Sequence, residues 1–294
     1  MSSTAALSPA KINLLLKVLR KRDDGFHELF SVMQPVTLYD NISVEAGEGG
    51  GITLECHNAD IPSDHTNLAY RAAKLLLEKA GLKKRVNIVI DKKIPVGAGL
   101  GGGSSNAATV LMTLNTLLNT GLSEAELVEM GVSLGSDVPF FILRGPALAR
   151  GRGEILERIA LPPCHYILIN PGFPVPTAWV YGNLDLTKSP EDNNLTYSVK
   201  AFERCVDIKG MLKNDLEPVT ASRHPEISRL KALLIENGAV GALMSGSGPT
   251  VFGLFPDHGR ARRAFEAIRP LLGGKSTIFL VQGIEGRGGA VGGG

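Results

Sequence analysis

Two periodicities alternate along this chain. Short runs with an apolar residue at every second position predict strands, and longer runs with apolar residues three and four apart predict helices. Residues 85–91 set Val86, Ile88 and Ile90 at every second position, with polar residues at 85, 87 and 91, the pattern of a half-buried strand. Residues 10–18 predict another strand, 30–38 are mostly apolar, and 40–46 with 52–57 predict a strand pair joined by the glycine-rich link 47–51. Helical spacing runs through 67–80, with Gly81 as its stop, and through 106–118, with Ser104 or Ser105 available as N-cap. Residues 123–134 open on Ser-Glu-Ala-Glu, a capping box. Past a boundary near Leu161-Pro-Pro163, strands are expected at 165–170, 250–255 and 276–282, and helices at 227–237 and 259–272. This order predicts an α+β chain of two domains, 1–160 and 161–283. The glycine-rich tail 284–294 is expected to be disordered; Ile284-Glu-Gly-Arg287 reads like a protease-site scar, so the tail is left out of the fold.

Composition narrows the class. With 294 residues, 44% hydrophobic and 5% aromatic, the chain suits an ordinary α/β or α+β enzyme with sizeable cores. A net charge of +2 with interspersed signs gives no basic face for nucleic acid. The cations at 17–22 and 83–85 read as solvated rims. Cys56, Cys164 and Cys205 are scattered and suggest neither a disulfide framework nor a zinc site. No secretory segment or apolar run of membrane-spanning length appears, so a cytoplasmic protein without a membrane partner is expected.

The most informative stretch is Pro95-Val-Gly-Ala-Gly-Leu-Gly-Gly-Gly-Ser-Ser105, five glycines in seven residues running into a helix. Glycines at a helix N-terminus offer unpaired N–H groups and the positive end of the helix dipole, which together suit phosphate. Gly97-x-Gly99-x-x-Gly102 matches the dinucleotide fingerprint formally. However, residues 91–95 separate it from its strand, and no acid ends a second strand about 20 residues on. A Walker loop is absent as well.

Three further constellations carry chemistry. Lys11 and Asn13 lie two apart in a strand and share a face that is either solvent-exposed or turned into a cleft. Asp137 stands between a helix end and the apolar run 138–143, as a capping residue or as a working carboxylate. Gly241-Ala-Leu-Met-Ser-Gly-Ser-Gly-Pro-Thr250 is a second Gly/Ser loop, which with the first suggests two sides of one anion pocket.

Pro9-x-Lys11-x-Asn13-Leu, the central loop and Ser-Gly-Ser-Gly-Pro-Thr250 together resemble the three motifs of the GHMP kinase superfamily, over residues 8–283. Leu-Gly-Gly-Gly-Ser-Ser-Asn-Ala-Ala108 and Arg22-Asp-Asp-Gly-Phe-His-Glu28 are similar to one branch, which phosphorylates the 2-hydroxyl of 4-diphosphocytidyl-2-C-methyl-D-erythritol in the non-mevalonate isoprenoid route. The resemblance implies the two-domain GHMP fold, with a ribosomal-protein-like N-terminal domain and a GHMP C-terminal domain. It implies ATP with Mg²⁺ as cofactors, though no carboxylate cluster offers itself as a metal site. The ATP cradle would be Pro95, Val96, Gly97, Ala98, Gly99, Leu100, Gly101, Gly102, Gly103, Ser104 and Ser105. Asp137 would be the catalytic base and Lys11 its orienting cation. Asn13, Phe26, His27, Thr177 and Tyr181 would bind the acceptor, its cytosine stacked between Phe26 and Tyr181. Phe26 departs from the branch's usual tyrosine, which removes a hydroxyl but keeps the ring face. Residues 58–67 are candidates for the nucleobase side of ATP.

Overall fold

The structure, a computed structural model, describes residues 2–186 and 204–286. The chain opens as a long hairpin of β1 (Ser2–Lys21) and β2 (His27–Glu48), turned at Gly25, whose φ is 83°. Residues 10–18 are buried throughout rather than alternately, because the hairpin is covered on both faces. Lys17 shares that burial, so the cations at 17–22 are a solvated rim only from Leu19 onward.

The expected pairing of 40–46 with 52–57 does not occur. β3 (Gly51–His57) pairs parallel to β4 (Lys84–Asp91), and β4 inserts between β3 and β2, with Val44 opposite Ile88. The physical reason lies in what each strand can bury. β4 buries Val86, Ile88 and Ile90 completely, whereas β3 buries only Leu54 and takes the sheet edge. The other half of β2 pairs with β5 (Ala147–Gly151), which turns into β6 (Ile155–Arg158).

Helices α1 (Leu68–Lys79), α2 (Gly102–Leu117), α3 (Glu124–Leu134) and α4 (Val138–Leu143) cover one face of this sheet, packing Leu76, Val110, Leu111 and Phe140 against Ile42, Val44 and Ile88. Asn67 caps α1, its side chain accepting from Ala69 N–H, and Ser123 and Glu126 close the capping box of α3. α2 departs from expectation. It starts at Gly102 with Gly101 as N-cap, so Ser104 and Ser105 lie within its first turn. Gly101 can hold the left-handed turn (φ 70°) that a serine would resist.

A second sheet follows the order β11 (Thr277–Gln282), β7 (His165–Asn170), β10 (Val251–Phe255) and β9 (Gly241–Met244). Its Tyr166, Leu168, Phe252 and Leu254 pack on Ile12, Leu14 and Val32 of the hairpin. Its other face, with Ile167, Ile169 and Phe255, receives α8 (Glu226–Glu236) and α9 (His258–Ile268). The layers thus run helix, sheet, sheet, helix. Between β7 and β9 come α5 (Thr177–Gly182), α6 (Cys205–Ile208), α7 (Glu217–Arg223) and the short β8 (Lys213–Asn214), which joins the first sheet beside Leu15 and Leu16. The helix expected over 259–272 stops at Ile268 and tightens into a 3₁₀ turn holding Pro270, which cannot donate to a further helical carbonyl.

The fold continues one step beyond Gly283, which bridges to Val36, because Ile284 N–H donates to Pro35 O (2.8 Å). The disorder expected for the tail lies, from residue 287 on, outside the described residues. Among the described residues no helix is long and apolar enough to cross a membrane.

Candidate active site

The central loop alternates two kinds of residue for two purposes. Gly97, Gly99 and Gly101 take φ of 63°, 75° and 70°, while Ala98 and Leu100 between them are sunk in the core. The apolar residues anchor the loop, and the glycines let it reverse direction between anchors. Lys11 N–H donates to Leu100 O (3.0 Å), which fastens the loop to β1. At its end α2 leaves first-turn N–H groups without helical acceptors, on residues that line the cleft.

The second Gly/Ser loop docks directly on the first. Ser245 Oγ donates to Gly99 O (2.9 Å) and accepts from Asn13 N–H (3.3 Å), so one hydroxyl joins β1 and both loops. Thr250 N–H adds a contact to Ala98 O (3.4 Å). Asn214 donates to Met244 O (2.8 Å) and Gly246 O (2.7 Å), holding the second loop from behind.

Lys11, Asn13 and Asp137 meet beside these loops. Lys11 Nζ donates to Asn13 Oδ1 (2.6 Å) and stands 3.5 Å from Asp137 Oδ2. Asn13 Nδ2 donates to Ser31 Oγ (2.9 Å), whose hydroxyl donates to Leu15 O (2.6 Å), so the amide is fixed from both ends. Only 6% of the Lys11 side chain is exposed, against 34% for Asp137. The polar face of β1 is therefore turned into a cleft and not to solvent. Asp137 occupies the N-cap position of α4 but makes no side-chain cap bond, so its carboxylate is free for Lys11 and for chemistry.

Beneath the loop lies a buried network that the sequence reading did not single out. Asp40, fully buried, accepts from Lys93 N–H (2.8 Å), Ile94 N–H (2.9 Å), Asn106 Nδ2 (2.9 Å) and Lys92 Nζ. Asn106 also donates to Ser8 Oγ (2.9 Å), and Ser8 to Ser105 Oγ (2.8 Å). The signals were an aspartate where the patterns 30–38 and 40–46 meet and a lysine just before the loop, each ordinary alone. Asp40→Ala would strand the Lys92 ammonium. A loss of about 3–5 kcal/mol in denaturant unfolding is expected, and a loss under about 1 kcal/mol would show that the pair is dispensable.

The opposite wall is aromatic. Phe26, 51% exposed, sits on the turn between β1 and β2, and His27 stacks on Tyr181 of α5 with centroids 5.0 Å apart. Burial, helped by the Lys21 charge, lowers the His27 pKa and favours its neutral ring. Burial and then the nearby Asp137 charge push the Tyr181 hydroxyl well above its usual range, so it stays protonated. Thr177 Oγ1 and Ser247 Oγ share a hydrogen bond of 2.9 Å.

One cleft of 1070 Å³ gathers Lys11, Asn13, Phe26, His27, residues 95–104, Asp137, Thr177 and Tyr181. Ser105 stands apart, fully buried beneath the loop on Ser8. From the 58–67 region Ile61, Pro62, Thr66 and Asn67 reach the lining, and Ser247 reaches it from the second Gly/Ser loop; Lys92, Ser136 and Arg152, which sequence reasoning missed, line it too. Asp137 is the only carboxylate among the described lining residues, and none of them belongs to a cluster of three metal-ligating side chains. The cleft therefore combines a glycine loop at a helix N-terminus, two buried cations (Lys11 and Lys92), one partly solvated carboxylate and an aromatic wall, which suits transfer of a phosphoryl group to an alcohol.

Comparison with known proteins agrees. The GHMP kinases N terminal domain matches residues 67–145, and the GHMP kinases C terminal domain matches 198–271. The 4-diphosphocytidyl-2-C-methyl-D-erythritol kinase of Syntrophotalea carbinolica is 52% identical over 88% of this chain and 92% of its own length. The enzyme of that name from Geobacter sp. (strain M21) is 48% identical over 93% and 97%. A crystal structure of 4-(cytidine 5'-diphospho)-2C-methyl-D-erythritol kinase superposes with TM-score 0.81 at 37% identity, covering 96% of this chain and 100% of that one. Homoserine kinase from Cytophaga hutchinsonii shares the fold (TM-score 0.78, 97% and 96% covered) at 18% identity. Together with the cleft, these matches make this chain a member of the GHMP kinase family, in the branch of the 4-diphosphocytidyl-2-C-methyl-D-erythritol kinases.

Proposed function

We propose that this chain transfers the γ-phosphoryl group of ATP to the 2-hydroxyl of 4-diphosphocytidyl-2-C-methyl-D-erythritol, a cytoplasmic step toward isoprenoid precursors by the non-mevalonate route. The observation that carries the reading is the Lys11–Asp137 pair, placed in one cleft with the glycine loop and the Phe26–His27–Tyr181 wall. The N–H groups of 97–103 and the first turn of α2 hold the ATP phosphates, and Pro95, Val96 and Ser104 complete that edge of the cleft. Asp137 takes the proton of the acceptor hydroxyl as its oxygen bonds to the γ-phosphorus and the bond to ADP breaks. Lys11 orients that carboxylate and offsets charge on the transferring group. Transfer of this kind needs mainly positioning and electrostatics, which one base and one cation beside a cradle supply.

Cytosine stacks on Phe26 beside the His27–Tyr181 pair, His27 reads the base edge, and Asn13 and Thr177 contact the polar middle of the acceptor. Mg²⁺ would accompany the phosphates, which with water would supply most of its ligands, because an ion of that kind needs few protein ligands; the Ser104 hydroxyl, at that edge of the cleft, would be the side chain to hold it. When bound it supplies neutralisation of phosphoryl charge.

The test is ADP release with Mg·ATP and 4-diphosphocytidyl-methylerythritol, beside homoserine and mevalonate. Turnover of the cytidylyl acceptor alone is expected, and turnover of another alcohol instead would discard the acceptor while keeping the phosphoryl chemistry. Tyr181→Ala removes a ring that stacks on His27. The acceptor KM should rise about tenfold with the ATP KM nearly unchanged; equal rises would mean that the aromatic wall does not bind the base.

A further inference from the structure

The acceptor side of the cleft carries a cation that the reaction as proposed does not use. β5 pairs with β2 so that Gly151 lies opposite Leu29. Continuing that register, the turn 152–154 lies alongside the end of β2 that follows Phe26. Arg152 thereby places its guanidinium carbon 4.8 Å from the centroid of the Phe26 ring, over its face.

The placement is built and not incidental. Glu154 sits with Oε1 3.7 Å from Arg152 Nε, and its other oxygen accepts the Arg152 backbone N–H. Gly151 has φ 71°, and a Cβ there would come within 2.9 Å of both Glu154 carboxylate oxygens. A glycine is therefore what lets the carboxylate tuck under the arginine. The arginine side chain is 30% exposed and lines the cleft. Gly153 of the same turn lies against Ser136, the neighbour of Asp137, so the turn spans from the aromatic wall to the reacting end.

Phe26 needs such a support. It is half-exposed at the cleft, and its backbone is fixed by a bond from its N–H to Asp24 Oδ1 (3.1 Å), but its ring carries no polar group to hold its plane. A guanidinium on one face both steadies the ring and leaves a single face open to a planar partner.

We propose that Arg152 is a specificity-determining residue for the acceptor. Its guanidinium covers one face of Phe26, leaves the other to the acceptor's base, and brings a positive charge to the side of the cleft that receives a nucleoside diphosphate. The proposal rests on the reading of the acceptor as a cytidine diphosphate conjugate. A small alcohol without base or phosphates gains nothing from this residue.

The experiment is steady-state kinetics of Arg152→Met, which keeps the apolar stem without the charge, and of Arg152→Lys, which keeps the charge without the planar fork. For R152M the acceptor KM should rise about tenfold, with the ATP KM within about twofold. R152K should fall between R152M and the unmodified chain. In a Phe26→Ala background, R152M should add less than about twofold, because the support has lost what it supports. An unchanged acceptor KM in R152M, acceptor and ATP KM rising together, or full additivity with F26A would each overturn the proposal while the unmodified chain still turns over the cytidylyl acceptor. An unmodified chain silent on that acceptor would instead overturn the acceptor assignment, and the proposal with it.

Discussion

Asp137→Asn is expected to lower kcat by about three orders of magnitude while ATP affinity stays within about threefold. The substitution keeps the size of the side chain and an oxygen that can face Lys11, but the amide cannot take a proton. Asp137 lies at the start of α4 and makes no capping bond there, so the helix loses no hydrogen bond when the charge goes. Lys11 keeps its bond to Asn13 Oδ1, so the buried ammonium is not stranded either. The effect is thus confined to the step in which the hydroxyl loses its proton. ADP release gives kcat, and binding of a non-hydrolysable ATP analogue gives the affinity. A kcat within tenfold of the unmodified chain would remove Asp137 from the role of base and leave it as a partner for Lys11 alone.

What the sequence made legible, and what it hid, follows from how local each feature is. The loop Gly97-Ala-Gly-Leu-Gly101 can be read residue by residue, because positive φ demands glycine and anchoring demands an apolar side chain, and the two requirements alternate along five positions. Ser123 caps its helix as expected for the same local reason, and Asn67, counted within the helix 67–80, caps α1 instead. Pairings across the chain are of another kind. Lys11 and Asp137 are each ordinary in their own neighbourhoods, and only the packing of α4 on α2, and of α2 on β1, brings them to 3.5 Å. The family resemblance, and no periodicity, joined them in advance.

The misread strand pair shows the same limit. A glycine-rich link between two strand patterns suggests a hairpin, yet the order of strands depends on which strand can bury both neighbours, and β4 wins over β3 on its three wholly buried side chains. The serines at 104 and 105 misled because a cap is usually a hydroxyl, whereas here the left-handed glycine before them ends the non-helical stretch and Ser105 turns inward to Ser8. The Asp40–Lys92 pair was invisible because its partners lie on different elements and bury one another only after folding.

The docking of the two Gly/Ser loops gives the second large prediction. Gly99→Ala should weaken ATP binding by on the order of a hundredfold and lower Tm, although no atom that touches ATP changes. Two effects coincide at Gly99. Its φ of 75° is one that a side chain resists, and a Cβ there would lie 2.1 Å from Ser245 O. That carbonyl cannot retreat easily, since it accepts from Gly248 N–H (2.9 Å), and Ser245 Oγ ties Gly99 O to Asn13 N–H. The loops must therefore separate, and the cradle moves off the Lys11–Asp137 pair. Gly97→Ala separates the two effects within the same loop. Its φ is 63°, equally left-handed, but a Cβ there meets only Pro174 Cβ at 3.5 Å, an ordinary contact. That variant carries the backbone strain alone, about 1–2 kcal/mol, and should weaken ATP binding by about tenfold or less. A gap of at least tenfold between the two variants, measured by titration with an ATP analogue, is the expected result. Equal losses would mean that left-handed strain governs the cradle, and that its contact with Ser245 is incidental to phosphate binding.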